Sequence, residues 1–195
     1  MITWEINNHT LEYIDEDHIY LIDGVIVPSI TQILKVRFGE MYSSVDPDVL
    51  KAAADKGTEI HKAIEDYCNG IDSDLKEVRG FKWLQRQYNF RTLKNEVPVI
   101  LYIDGEPYAA GRCDLVLQHD GKIGGADIKR TAVLNREYVA YQLNLYRMAY
   151  FASYGVQWDF IWAIHLRDDK RHISEMPINE EMAIELLEEY KEDKK

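Results

Sequence analysis

Between Gly111 and Thr131, in GRCDLVLQHDGKIGGADIKRT, three side chains could do chemistry together: Asp114, Asp127 and Lys129. Asp120-Gly121 is a two-residue turn signal between two runs rich in apolar and β-branched residues, so the stretch predicts a β-hairpin. Side chains at i and i+2 of a strand share a face. That points Asp127 and Lys129 the same way and sends Ile128 into the core, and it puts Arg112 and Asp114 on one face with Cys113 on the other. If the hairpin brings Asp114 beside Asp127, two carboxylates and one ammonium converge on a small patch. Mg²⁺ takes oxygen ligands and keeps several waters, and such an ion both polarises a phosphate and generates a nucleophilic hydroxide. Lys129, a compact charge, would hold that water or the charge developing on the phosphoryl group. The chemistry expected of the patch is phosphodiester hydrolysis. Asp-x-Lys alone is also common on solvated strands, so the triplet needs its context.

Other elements must position these groups. Residues 46–70 predict a long helix, with Asp46 as N-cap, Pro47 at the first position and Asn69-Gly70 as the stop. On it Thr58, His61 and Glu65 share a face. Taken alone, a histidine there is more often a partly buried or surface residue than a ligand. Gly57 interrupts the helix at about 1 kcal/mol relative to Ala, the kind of glycine often found where something approaches the backbone closely. Glu96 heads a strand over 96–104, either near the site or on an exposed edge. A helix over Glu137 to Tyr154, closed by Gly155, aligns Tyr138, Gln142 and Tyr146 at i, i+4 and i+8, and a buried Gln142 amide would need partners.

Around that centre, residues 9–28 read as two or three short strands with turns at Asp15–Asp17 and Asp23-Gly24. Pro28 stops the last, and Ser29 caps a short helix that ends at Gly39. Residues 75–94 read as a helix running into an extended segment. WDFIWAIHL (158–166) and HISEMPI (172–178) pair through a turn at Asp168 to Lys170. The last helix turns Met182, Ala183, Leu186, Leu187 and Tyr190 inward and leaves its acids solvated. The chain reads as a single domain over 1–195: an N-terminal hairpin and short helix over 1–45, a core over 46–178 and an acidic helix over 179–195.

With 46% hydrophobic and 11% aromatic residues, the 195-residue chain has the composition of an ordinary folded protein. No apolar run approaches the roughly 18 residues of a membrane span, and Met1 is not followed by a basic, then apolar, leader. A cytoplasmic protein without membrane contact is expected. Cys68 and Cys113 are expected as buried thiols. The net charge of −11 is concentrated at the ends, with nine acidic against two basic residues in 1–50 and seven against three in 179–195, so 51–178 is neutral. Within it Lys76, Arg79, Lys82, Arg86, Arg91 and Lys94 accompany only Glu77, with Phe81, Trp83, Tyr88 and Phe90 interleaved. That is the best nucleic-acid face in the chain. The alternative is an amphipathic helix whose aromatics are core.

Four signatures in order, Gly57-Thr58-Glu59-Ile60-His61, Gly111-x-x-Asp114, Asp127-Ile128-Lys129 and Gln142-x-x-x-Tyr146, resemble the RecB-type exonuclease branch of the PD-(D/E)XK nuclease superfamily. They span 57–146, and VPSITQIL resembles the lead-in of some phage-encoded members. The resemblance implies an α/β fold with a restriction-endonuclease-like central mixed β-sheet flanked by helices. It implies His61, Asp114, Asp127 and the Ile128 carbonyl as ligands of one or two Mg²⁺ or Mn²⁺ ions. Lys129 would position the water, and Gln142 and Tyr146 would orient substrate or support the site. Glu96 matches an acidic position often seen before the first core strand, and Glu65 is a further candidate. The chain departs from branch members that carry four cysteines around an iron–sulfur cluster. It has two, so no cluster is expected. The implied activity is metal-dependent DNA hydrolysis in recombination, repair or phage replication, exonucleolytic first, with a structure-specific endonuclease or a catalytically silent DNA-binding or assembly module as alternatives. DNA is the expected partner, with a recombination or annealing protein beside it, and Lys82, Arg86, Arg91 and Arg130 are the expected DNA contacts.

Overall fold

The computed structural model describes residues 1–15 and 18–194. Four strands open it as an antiparallel meander: β1 (Ile2–Ile6), β2 (His9–Ile14), β3 (Ile19–Ile22) and β4 (Val25–Val27). The N-terminal hairpin expected from sequence is therefore a four-stranded sheet. Its first turn is Asn7-Asn8, with φ of 51° and 65°, a pair suited to the left-handed positions of a two-residue hairpin loop. Of the turn expected at Asp15–Asp17, Glu16 and Asp17 lie outside the described residues.

Helix α1 (Ile30–Phe38) starts in a capping box, in which the Gln32 N–H donates to Ser29 Oγ and the Ser29 N–H to Gln32 Oε1. Gly39 stays right-handed at φ −58°, so the chain runs on into a 3₁₀ turn, Gly39–Tyr42, rather than stopping there. Then come α2 (Pro47–Cys68), α3 (Lys76–Tyr88), β5 (Phe90–Ile103), β6 (Glu106–His119), β7 (Lys122–Lys129), α4 (Arg136–Tyr154), β8 (Phe160–Arg167), β9 (Lys170–Met176) and α5 (Glu180–Asp193). Asp46 caps α2 as expected, its carboxylate accepting from Asp48 N and Val49 N.

Strands β5 to β9 form a second sheet in chain order, antiparallel except for the parallel β7–β8 pair, which α4 connects. The result is the expected α/β arrangement, a central mixed sheet flanked by helices. One face packs Ile33 and Leu34 of α1, Val139 to Tyr150 of α4 and Leu186 of α5. The other packs Ile60 and Ile64 of α2 against Phe81 of α3. A third cluster joins the N-terminal sheet to Ile100 and Ala110 of β5 and β6. On β7, a Cβ at Gly125 would lie 2.0 Å from Trp158, so the indole rests directly on backbone that only glycine leaves bare.

Gly57 departs from expectation, since a Cβ there would meet open space. Cys113 is buried, whereas Cys68 is only partly so, its Sγ 3.6 Å from Thr92 Oγ1. Among the described residues no helix is long and apolar enough to cross a membrane.

Candidate metal centre

The hairpin opens where the candidate residues sit. β6 and β7 are paired from His119–Lys122 to Leu115–Ala126, and that register places Asp114 opposite Asp127 as the strands separate. The Ile128 N–H donates instead to Asp114 Oδ2 at 2.7 Å. A carboxylate thus stands where a strand carbonyl would otherwise accept, aimed from the end of the hairpin. His61, from the middle of α2, donates through Nε2 to the Ile128 carbonyl oxygen at 2.9 Å. With Nε2–H committed to a carbonyl, neutral His61 presents the Nδ1 lone pair. Nδ1 lies 3.4 Å from Asp114 Oδ2. Two acceptors face each other at that distance comfortably only with a cation or proton between them. The Ile128 carbonyl, expected as a further ligand, is here the acceptor for His61.

Glu96 completes the group. One ligand atom each of His61, Glu96 and Asp114 lie within 4.8 Å of one another. The strand is bent to allow this. Cys113 and Val116 face the α4 core while Leu115 and Leu117 face the α2 core, so the alternation expected through Arg112, Cys113 and Asp114 breaks at Asp114. Across from it, between the Asn95–Leu115 and Val97–Cys113 pairs, Glu96 has φ 46°. Every other described non-glycine residue at positive φ is Asn, Asp or His, the types that tolerate this region best. A left-handed Glu inside a strand is local strain of the kind that gathers at functional sites. Arg112 Nε lies 3.5 Å from Glu96 Oε2, and its guanidinium stacks 4.8 Å over the Tyr13 ring of β2. The N-terminal sheet therefore backs the site.

On the α4 side, Asp127 is 3% exposed. Lys129 Nζ lies 2.7 Å from its Oδ2, so the buried carboxylate is held in an ion pair. The same ammonium donates to Gln142 Oε1 at 2.9 Å and lies 5.6 Å over the Tyr138 ring. The buried Gln142 amide thereby has its partner. Tyr146, expected to orient substrate or support the site, is a buried wall against Gly111, where a Cβ would come within 2.9 Å of its ring. It packs against the backbone that leads to Asp114. Sequence reasoning placed Tyr138 on the Gln142 stripe and Arg112 on the Asp114 face without foreseeing their contacts with Lys129 and Glu96. Their signals were there: Tyr138 is one helical turn before Gln142, and Arg112 shares its strand with Asp114. Glu65 bonds Lys62 at 3.1 Å, and the group of ligand spacing consists of His61, Glu96 and Asp114, without Glu65 or Asp127.

Burial pushes the Glu96 carboxyl up to about 7, with the Asp114 charge adding to the effect. Burial likewise raises Asp127 to about 6 against the pull of Lys129. Burial works against the Lys129 ammonium, but Asp127 and Asp114 outweigh it and raise its pKa. The site is therefore over-supplied with negative charge. The facing acceptors on His61 and Asp114, the Glu96 carboxyl within ligand distance of both, and oxygen-rich chemistry all fit a hard divalent cation. A carboxyl whose folded pKa exceeds its unfolded value favours folding below the unfolded pKa, and that contribution is lost as pH rises through the folded pKa. In EDTA the unfolding midpoint is expected to fall between about pH 4.5 and 7.5 through these two groups, and Mn²⁺ should flatten the fall. A Glu96→Gln chain that loses stability as steeply as wild type over this window would contradict the assignment.

The expected DNA contacts do not gather here. Lys82 is ion-paired with Asp72 and stacks over Tyr67, and Lys76 holds Asp169 at 3.0 Å. Arg86 lies in the last turn of α3. Arg91 donates to Gln118 at 2.7 Å, at the closed end of the hairpin. Lys129 is six residues along β7 from the partner of Gln118, about 20 Å away. Arg130 is held by Glu77 at 2.9 Å and Asp168 at 3.2 Å. The basic segment thus has Lys76 and Lys82 ion-paired on the α3 surface and Arg91 at the end of the hairpin away from Asp127. Of its aromatics, Phe81 and Phe90 are core, while Trp83 and Tyr88 are partly exposed.

No family model matches the sequence. No curated protein matches it either. Among solved structures the chain is similar to one described as the crystal structure of SSO0001, at 17% identity and a TM-score of 0.49, over 85% of this chain and 75% of that one.

Proposed function

We propose that the protein is a metal-dependent nuclease that hydrolyses DNA phosphodiester bonds, with exonucleolytic cleavage as the first reading. The observation that supports it most is the His61–Glu96–Asp114 group of ligand spacing, on the same hairpin end as the buried Asp127–Lys129 ion pair at 2.7 Å. A structural ion pair has no use for three further acidic or imidazole groups near it, one of them, Glu96, with a raised pKa. His61, Asp114, Glu96 and Asp127 would hold Mg²⁺ or Mn²⁺. Such an ion, when bound, supplies Lewis-acid polarisation of the phosphate and a more acidic water.

The chain's own groups do the rest. Gln142 and the Tyr138 ring fix the Lys129 ammonium from two sides, so it meets the substrate already oriented. From there it donates to the attacking water or to the phosphoryl oxygens as their charge grows. The Ile128 carbonyl fixes the His61 ring and leaves Nδ1 free. Arg112 offsets the Glu96 charge and holds it against the strand. The test is purified protein with Mg²⁺ or Mn²⁺ and end-labelled linear or covalently closed circular DNA. Mononucleotides from linear DNA alone are expected. Nicked circles would make the enzyme an endonuclease, and intact DNA in both arms would leave a silent module.

A further inference from the structure

A cavity of about 510 Å³ opens beside Lys129, between α1, the 3₁₀ turn and the start of α4. Its walls include Phe38, Tyr42, Tyr138 and Leu134, and its polar edge includes Lys35 and Lys129. The volume lies in the range of roughly 300 to 1,000 Å³ typical of small-molecule sites. The aromatic wall is braced, with the Phe38 and Tyr138 rings in edge contact at 5.4 Å and the 3₁₀ turn tied to α4 where Asn135 Nδ2 approaches Met41 Sδ at 2.9 Å. Tyr42 is 42% exposed and belongs to no core cluster. Lys35 has no carboxylate partner among the described residues, in contrast to Lys76, Lys82 and Arg130. An apolar, aromatic hollow with an unpaired ammonium at its rim, one side chain away from Asp127, matches one chemistry: a flat base carrying a phosphate.

We infer that this cavity takes the unstacked base of the nucleotide next to the scissile phosphate, with Tyr42 as its stacking platform and Lys35 on the neighbouring phosphate. This deepens the nuclease reading and rests on it. It also names the substrate class. A base inside an intact duplex cannot enter the hollow without unpairing, so the preferred substrate is a single strand or a frayed end. With a net charge of −11 and much of the α3 basic face paired, affinity leans on stacking more than on phosphate neutralisation.

The test measures binding, apart from cleavage, in Ca²⁺. Full-length protein is titrated into thymidine oligomers carrying 2-aminopurine at one end or the other, as single strands and as blunt duplexes. Quenching is expected for one labelled end of the single strand, with the duplex bound at least about tenfold more weakly. Tyr42→Ala should lose the quench and about tenfold in affinity, the scale of one base–aromatic stack, while Tyr42→Phe retains both. Equal affinity for duplex and single strand, or an unchanged quench in Tyr42→Ala, overturns the inference. Cleavage by wild type with Mn²⁺, read separately, tells the two readings apart. Cleavage with no Tyr42 effect removes the pocket and keeps the nuclease, and quenching with no cleavage removes the nuclease and keeps the pocket.

Discussion

Lys129→Met is expected to lower the single-turnover rate of DNA cleavage by about 10²-fold or more, while Mn²⁺ and DNA affinity stay near wild type. Methionine keeps the length and apolar stem of lysine and removes only the charge. That charge has three neighbours, Asp127 at 2.7 Å, Gln142 at 2.9 Å and the Tyr138 ring at 5.6 Å. All three serve to fix its place. A group held this tightly has little to gain from ground-state binding, and its value lies in charge that develops only during reaction. Gln142→Ala, which frees the ammonium without removing it, should lower the rate less than Lys129→Met. If Lys129→Met turns over near wild type, Lys129 is only the counter-ion of Asp127, and the water must be held by another group.

Asp127→Asn is expected to reduce cleavage by about 10³-fold or more and to weaken Mn²⁺ binding. In EDTA at neutral pH its unfolding midpoint should nevertheless stay at or above that of wild type. Two effects oppose each other here. Removing one partner of a buried ion pair ordinarily destabilises, by roughly 3 to 5 kcal/mol. The Asp127 pKa is raised even with Lys129 in place, so burial and the Asp114 charge outweigh the pair. The neutral amide therefore suits the metal-free pocket better than the carboxylate does. Loss of activity at the expense of no stability is the mark of a site strained for function. Calorimetry and thermal melts on the same preparation decide it. Wild-type Mn²⁺ affinity in Asp127→Asn, or a midpoint several degrees lower in EDTA, would remove Asp127 from the metal centre.

Much of this centre was legible in the sequence, and the reason is local. Asp120-Gly121 fixes a tight hairpin, and a tight hairpin fixes register, so Asp114 and Asp127 had to meet. The long helix with its cap at Asp46 was equally local, and it carried His61 to the sheet. What failed was what depends on partners distant in sequence. Lys76 looked free because Asp169 stands 93 positions away, and Arg130 because Glu77 stands 53 away. Period-two reasoning assumed that β6 alternates without a break, and no residue preference signals a left-handed Glu96 on the strand opposite. Gly57 misled for the converse reason. A glycine in a helix suggests a close neighbour, but here it faces open space.

The left-handed backbone at Glu96 also bears on how such a site would decay. An L-residue with a long side chain at φ 46° forfeits something like 1 kcal/mol that glycine would not. Glutamate and glycine codons differ at one base. A single point mutation would thus relax the strand and delete the carboxylate together, a downhill step for a lineage with no need of the reaction. Asparagine or aspartate would ease the backbone too, with a shorter reach toward His61. Drift alone therefore runs away from glutamate at position 96.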